Sequence, residues 1–464
     1  MKTKIIHASQ AGARLDSNVH TGGGTDDTAI LQKALDTALE YGGVHLIMDG
    51  AALISSLHVA SNTTIECLNA DCGFYQAAKS DCAILINANP SATEIMDRNI
   101  SLLGGTYNQN CRQQAHHVPA EVHYTKAERI VVGLSFFGVE NLLVRDVTVR
   151  NQRTFAFLIS NWLKVTMENI RLELPDFIEG GNQDGIHVQG PGRFLVLRNI
   201  QGRTGDDFIA LNGDEESNGE QSWFHPCCTV GPITDVLVDT LMVDDAAQVV
   251  RILSRENRQD RITIRNVSGN YRSFGFYLSA WDYKARGLQG DFGSIVIENV
   301  DLRQTKANYT YTEPFLFRIA GRHQSLILRD IKYYDPTDDR YLIHLEGRTD
   351  IPDMGDTPAQ VESLVIDGLH LQDRGDTPQT RPYIRVSGQV GYLAVRNSEL
   401  FNMKAKGSTF IRTEGEHAAI DCLVLQDITT RNLGSLISDP QQKIKQLLTS
   451  NVMPLDPKSG ESEV

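Results

Sequence analysis

The amino-acid sequence predicts an all-β fold, namely a single-domain parallel β-helix with an N-terminal capping helix. Three observations lead to this class: a short phrase that recurs along most of the chain, an amphipathic segment that precedes it, and few hairpin signals such as Asn-Gly. One coil of a parallel β-solenoid takes roughly 20–30 residues. Each coil completes its burial only against its neighbours, which explains why one pattern returns so often.

The recurring phrase consists of alternating apolar residues, then Asn or Asp, and usually another apolar residue. Asn and Asp tolerate the left-handed bend between strands and form local hydrogen bonds there, so they let a coil turn a corner. The alternatives are a β-sandwich and a propeller, but propeller blades have a longer and more uniform period. The phrase places its polar residue at Asp146, Asn169, Asn199, Asp239, Asn266, Asn299, Asp330, Asp367, Asn397 and Asp427.

The two ends of the chain differ from this repeat. Residues 29–39 have apolar side chains at helical spacing, with Thr25 or Asp26 as a candidate N-cap and Gly42-Gly43 as a stop. We expect this helix to cover the first coil of the solenoid. In the polar tail we expect a short helix followed by disorder. The predicted organisation is 1–45 for the N-terminal segment with the capping helix, 46–437 for the parallel β-helix and 438–464 for the C-terminal polar tail.

Composition narrows the possible partners and compartment. The 464 residues include 44 basic and 58 acidic ones, and the net charge of −14 argues against nucleic acid and anionic membranes. No run approaches the roughly 20 apolar residues of a membrane span. The polar start and seven scattered cysteines predict a cytoplasmic protein with reduced thiols and no zinc site. We expect no cofactor, and either a monomer or a homo-oligomer.

Two short acidic motifs lie about one coil apart in the middle of the chain. The first is Asn182-Gln183-Asp184-Gly185 and the second is Gly205-Asp206-Asp207. A solenoid with this spacing stacks the two motifs on neighbouring coils, about 4.8 Å apart. Clustered carboxylates repel one another, which a fold does not need but acid–base chemistry often uses.

Together with Arg251-Ile252-Leu253, these motifs resemble those of the family 28 glycoside hydrolases, the polygalacturonases and their relatives. Most of the chain resembles the pectin-lyase-like superfamily of right-handed β-helices, which implies a right-handed fold, while the resemblance in catalytic motifs covers only residues 180–255. The resemblance implies a glycosidase that cleaves an α-linked galacturonosyl or galactosyl oligosaccharide by an inverting, all-aspartate mechanism. It implies Asp206 as the acid, and Asp184 with Asp207 as the base pair. A cytoplasmic location makes the substrate a transported oligosaccharide, which favours exo-action.

The sequence departs from the family pattern at two points. The family's Gly-His-Gly is absent, and His225 is either its substitute or a surface histidine. The family's lysine is replaced by Leu253, so the substrate is either a uronide or a neutral galactoside. His187 is given no catalytic role, and Gln152 is a weaker candidate for the same cleft. The predicted substrate-binding residues are Asn182, Gln183, Arg251, His225 and Trp281.

Two other functions remain open at the level of the sequence. A calcium-dependent polysaccharide lyase on the same fold would use the three aspartates as metal ligands and Arg251 as the base. A non-catalytic carbohydrate-binding β-helix would not need the clustered carboxylates. The product of a lyase is unsaturated and absorbs ultraviolet light, which distinguishes a lyase from a hydrolase.

Overall fold

The computed structural model describes residues 3–119, 128–214, 224–280, 289–305, 315–334, 341–347, 357–373, 380–402 and 408–455. The chain divides into two compact units, Met1–Ala246 and Ala247–Val464. None of the described helices combines the length and the hydropathy that a membrane crossing requires.

The first unit begins with two helices and continues as strands. Among the described residues of this unit the helices are α1 (Ala8–Ala11) and α2 (Thr28–Tyr41), and a 3-10 turn covers Cys111–Gln113. The strands are β1 (Lys4–His7), β2 (Val44–Met48), β3 (Ala51–Ile54), β4 (Leu57–Val59), β5 (Thr63–Cys67), β6 (Gly73–Gln76), β7 (Leu85–Asn87), β8 (Asp97–Leu103), β9 (Thr106–Asn108), β10 (His117–Pro119), β11 (Glu128–Ile130), β12 (Leu134–Arg145), β13 (Thr148–Arg150), β14 (Phe157–Glu173), β15 (Ile186–Arg203), β16 (Asp207–Asn212) and β17 (Ile233–Asp245).

The described part of the second unit consists of strands and the segments that join them. These strands are β18 (Gln248–Leu253), β19 (Gln259–Tyr271), β20 (Phe274–Ser279), β21 (Phe292–Gln304), β22 (Phe315–Ile319), β23 (Arg322–Tyr334), β24 (Tyr341–Leu345), β25 (Gln360–Asp373), β26 (Ile384–Val386), β27 (Gln389–Asn402), β28 (Thr409–Thr413), β29 (Ala419–Arg431), β30 (Ser435–Ser438) and β31 (Ile444–Pro454).

Strands pair in parallel with their equivalents on the next coil, as a parallel β-helix requires. In the first unit β14 pairs with β15, and β15 pairs with both β16 and β17. In the second unit two columns run through alternate strands, from β18 to β30 and from β19 to β31. The prediction of an all-β parallel β-helix is therefore confirmed.

Asparagine side chains form ladders at the corners between strands. Asn169, Asn199 and Asn299 all have left-handed backbone conformations, with φ of 56°, 54° and 53°. The amide of Asn199 donates to the side-chain oxygen of Asn169 at 2.8 Å, and Asn299 donates likewise to Asn266. In the copies of the phrase at Asp239 and Asp367, the left-handed residue comes one position later, at Thr240 and Gly368 respectively.

The predicted capping helix is confirmed, but its N-cap residue is Asp27 and not Thr25 or Asp26. Helix α2 is preceded by Asp27, whose carboxylate accepts the backbone N–H groups of Arg14 and Leu15 and makes no bond to the helix. Asp26 accepts the N–H of Thr28 at 2.8 Å. The helix ends at a left-handed Gly42, as expected.

The C-terminal tail differs from the expectation of a short helix. Residues 444–454 form β31, which pairs in parallel with β29. Asn451 is left-handed and donates to the carboxylate of Asp427 at 2.7 Å. The tail thus adds one more strand to the β-helix. Its sequence repeats the phrase in which apolar residues are followed by asparagine. The predicted boundaries at residues 45 and 437 stay predictions.

Candidate active site

Asp184 and Asp207 lie at equivalent positions on neighbouring coils of the first unit. Ile186 of β15 pairs with Ile209 of β16, so Asp184, two residues earlier, lies opposite Asp207. The N–H of Gly185 donates to the carbonyl of Asp207 at 2.8 Å, which continues this register beyond the strand. Adjacent strands are about 4.8 Å apart. Both aspartates are only 3% exposed, so two carboxyl groups share one small buried patch.

Asp206 is the most accessible of the three carboxylates. It is half-buried, and its backbone N–H donates to the carbonyl of Gln183 at 3.2 Å. The sequence spacing pairs Asp184 with Asp206, whereas the register pairs it with Asp207. Asp206 is therefore the one of the three carboxylates that solvent reaches most readily.

Gln183 holds the first motif in place. Its side chain is fully buried, with Oε1 accepting the N–H of Ile178 at 2.8 Å and Nε2 donating to the carbonyl of Gln152 at 2.7 Å. Gln152 in turn donates to the carbonyl of Asp184 at 3.2 Å. Both polar ends of Gln183 are thus hydrogen-bonded within the protein, and its predicted contact with substrate stays a prediction. Asn182 is half-buried with a left-handed φ of 49°.

The glycine of the first motif is required by close packing. A Cβ atom on Gly185 would lie 2.4 Å from the carbonyl oxygen of Phe208 and 2.6 Å from a methyl group of Leu172. Any side chain here would push the two acidic coils apart. The glycine thus sets the close approach that brings Asp184 and Asp207 together.

The carboxylate of Asp184 contacts His187, a residue for which no catalytic role was predicted. Its Nδ1 lies 2.9 Å from Oδ2 of Asp184, and its Nε2 lies 3.0 Å from the amide nitrogen of Asn212. Because the amide nitrogen donates, Nε2 accepts, and the proton on Nδ1 points to the carboxylate. The ring stacks on Phe155 at 4.2 Å and meets the edge of Phe224 at 4.9 Å. This packing fixes the orientation of the histidine.

Strand alternation offers a signal for His187. In β15 the residues Ile186 and Val188 are apolar and fully buried, so the side chain between them points to the opposite face of the sheet. His187 also follows Asp184 by three residues. An acidic motif followed directly by a histidine on the sheet face opposite to Ile186 and Val188 is therefore a sequence signal for this pair.

His225, the candidate substitute for the missing family histidine, makes its described contacts with residues other than Asp184. Its ring stacks on Phe137 at 4.3 Å, and its Nδ1 accepts the backbone N–H of Cys227 at 3.0 Å. Burial, with a smaller contribution from the Arg129 charge, lowers the pKa of His225 to about 3. The histidine that contacts the carboxylate of Asp184 is His187.

The remaining predicted site residues belong to the second unit. Arg251 lies on β18, is half-buried, and pairs in register with Tyr277, whose ring centroid is 5.9 Å from the guanidinium carbon. Leu253, at the position of the family's lysine, is fully buried. Trp281 lies outside the described residues.

The fold and the carboxylate cluster define the class, a parallel β-helix with acidic side chains aligned on neighbouring coils. The A-module of the mannuronan C-5 epimerase AlgE6 from Azotobacter vinelandii shares this fold, with a TM-score of 0.55, 11% identity, and coverage of 97% of this chain and 100% of that chain. Such low identity shows the fold alone.

By sequence, the chain is similar to polygalacturonases. One from Persea americana is 26% identical over 204 residues, which cover 41% of this chain and 41% of that protein. One from Gossypium barbadense is 32% identical over 91 residues, which cover 19% of this chain and 21% of that protein. The similarity therefore spans less than half the length of these relatives, and no protein-family model matches the chain. The predicted resemblance to polygalacturonases is confirmed over this part of the chain.

Proposed function

We propose that the protein is a glycoside hydrolase that cleaves an α-linked galacturonosyl or galactosyl oligosaccharide with inversion of configuration. The observation that carries this proposal is the alignment of Asp184 with Asp207 on neighbouring coils, with the more exposed Asp206 next to them. The partial similarity to polygalacturonases supports the substrate class. Neither a β-helix nor its capping requires three carboxylates in one patch.

The proposed mechanism gives each aspartate a separate task. Asp206, the carboxyl group that faces solvent, donates a proton to the leaving glycosidic oxygen. Asp184 and Asp207 accept a proton from the water that attacks the opposite face of the sugar. His187 keeps Asp184 oriented through its Nδ1 proton, since its own ring is held between Phe155 and Phe224.

We further propose that the enzyme is exo-acting on short chains in the cytoplasm. The acidic balance of the sequence and its scattered cysteines support this location. The product profile tests exo-action, because removal of one sugar at a time from a chain end yields a single small product from the first minutes of reaction.

Asp206→Asn tests the proposed function directly. The amide cannot donate the required proton, so we expect hydrolysis of galacturonide or galactoside oligosaccharides to fall by about 10²–10⁴-fold. Turnover is measured by chromatography of the products. Asp71→Asn is the matched control, because Asp71 is an exposed aspartate in the same unit, and we expect its activity to equal that of the wild type.

Three results would contradict the proposal. An Asp206→Asn variant with full activity removes the assigned acid. A product that absorbs ultraviolet light, with activity lost to a chelator, indicates the calcium-dependent lyase. Glycan binding without cleavage, unaffected by replacement of all three aspartates, indicates a carbohydrate-binding β-helix.

A further inference from the structure

A separate cavity lies in the first unit, outside the acidic site. Its volume is about 550 Å³, within the 300–1,000 Å³ that small-molecule sites usually occupy. None of the three candidate catalytic aspartates lines it. The lining residues that matter here are Ser56, Ile86, Arg129, Ser135, His225 and Cys227.

The cavity lies on the same outward face of the coils as His187. Ile86, Ser135, Leu158 and His187 are successive register partners through β7, β12, β14 and β15. Ser135 is therefore two coils from His187, a separation of about 10 Å along the stack. One continuous face carries both the acidic site and the cavity.

A short segment, residues 224–228, separates the two. Phe224 packs against His187 and belongs to an apolar cluster with Phe137 and Leu158. His225, the next residue, stacks on Phe137 and lines the cavity. The segment thus covers His187 with one side chain and forms a cavity wall with the next.

The cavity contains one permanent positive charge. Arg129 is half-buried on β11, and within the described part of the chain no carboxylate pairs with its guanidinium. Burial lowers the pKa of His225 to about 3 and raises the pKa of the Cys227 thiol. A permanent cation in a concave site attracts an anion.

The other lining groups fit a ligand that also carries hydroxyls. Since Nδ1 of His225 accepts the Cys227 N–H, the ring proton lies on Nε2, which is a hydrogen-bond donor. Ser56 and Ser135 add hydroxyl groups, while Ile86 and Val132 supply an apolar wall for a carbon skeleton. The planar guanidinium of Arg129 matches a carboxylate through two parallel hydrogen bonds.

We propose that this cavity binds a small hydroxylated carboxylate, a sugar acid, with Arg129 as the partner of its carboxylate. The site is independent of hydrolysis, because its residues are distinct from the aspartates. Size, charge and the mixture of hydroxyl and apolar groups all point to the same class of ligand.

The test compares two sugars that differ by one carboxylate. D-galacturonate and D-galactose are titrated by calorimetry into the full chain, and neither sugar has a glycosidic bond that the protein could hydrolyse. We expect galacturonate to bind and galactose to bind at least about tenfold more weakly, and Arg129→Gln to lower galacturonate affinity at least about tenfold. Arg198→Gln, at an exposed arginine that pairs with Glu168, is the matched control and leaves affinity unchanged.

A second readout does not depend on how a variant folds. Cys227 lines the cavity, so galacturonate slows its alkylation in the wild type, as measured by mass spectrometry of the peptide, and galactose does not. Equal binding of the two sugars overturns the proposal. So does an Arg129→Gln variant with wild-type thermal midpoint and wild-type affinity, or alkylation of Cys227 that galacturonate does not slow. A failure of Asp206→Asn to abolish turnover leaves this result unaffected.

Discussion

The contact between His187 and Asp184 is the feature of the site that separates a positioned carboxylate from an ordinary buried one. The imidazole makes one bond to the carboxylate and one to Asn212, and two aromatic rings hold it in place. Motif spacing alone predicted that the acidic groups meet. It did not give the partner of Asp184, because the residues of the turn between coils decide the register.

Replacing His187 tests its positioning role. In His187→Gln the carboxylate of Asp184 loses a fixed donor, and we expect kcat to fall about 10- to 100-fold with little change in KM. Steady-state kinetics separates the two constants, and His20→Gln, at an exposed histidine of the same unit, is the control. A normal kcat would show that the contact is structural only.

At the scale of the secondary-structure element, the feature that repeats is a residue with a left-handed backbone at the corner between two strands. Sequence periodicity predicted the corner residues well, since a left-handed backbone strongly favours Gly, Asn and Asp. Asp239 and Asp367 were each one position from the actual bend, at Thr240 and Gly368. The phrase fixes the repeat but not the residue at which the chain turns, because neighbouring coils also constrain the corner.

Asn199 offers a test that separates backbone conformation from hydrogen bonding. Asn199→Ala loses both the tolerance for φ of 54° and the bond to Asn169, and we expect it to lower the free energy of unfolding by about 1–3 kcal/mol. Asn199→Gly keeps the bend and loses only the bond, so it is the matched control with a smaller loss. Denaturant unfolding measures both, and equal stability of the two variants would refute the importance of the left-handed bend.

At the scale of the whole molecule, the sequence predicted the fold class and the capping helix. It missed the strand at residues 444–454 because a polar composition suggested a tail, although Asn451 continues the phrase. It did not show that the side chain of Gln183 is fully buried. Burial and register depend on the stacking of many coils, so local patterns do not give them.

The most direct test of the proposed mechanism is the configuration at the anomeric carbon of the first product. Proton NMR of the wild type with α-linked galacturonide and galactoside oligosaccharides shows the configuration of the first product before mutarotation. We predict release of the β-anomer, with no unsaturated sugar, and loss of this signal in Asp206→Asn. An α-anomeric first product, which requires retention, or an unsaturated product, which requires elimination, would contradict the proposed aspartate mechanism.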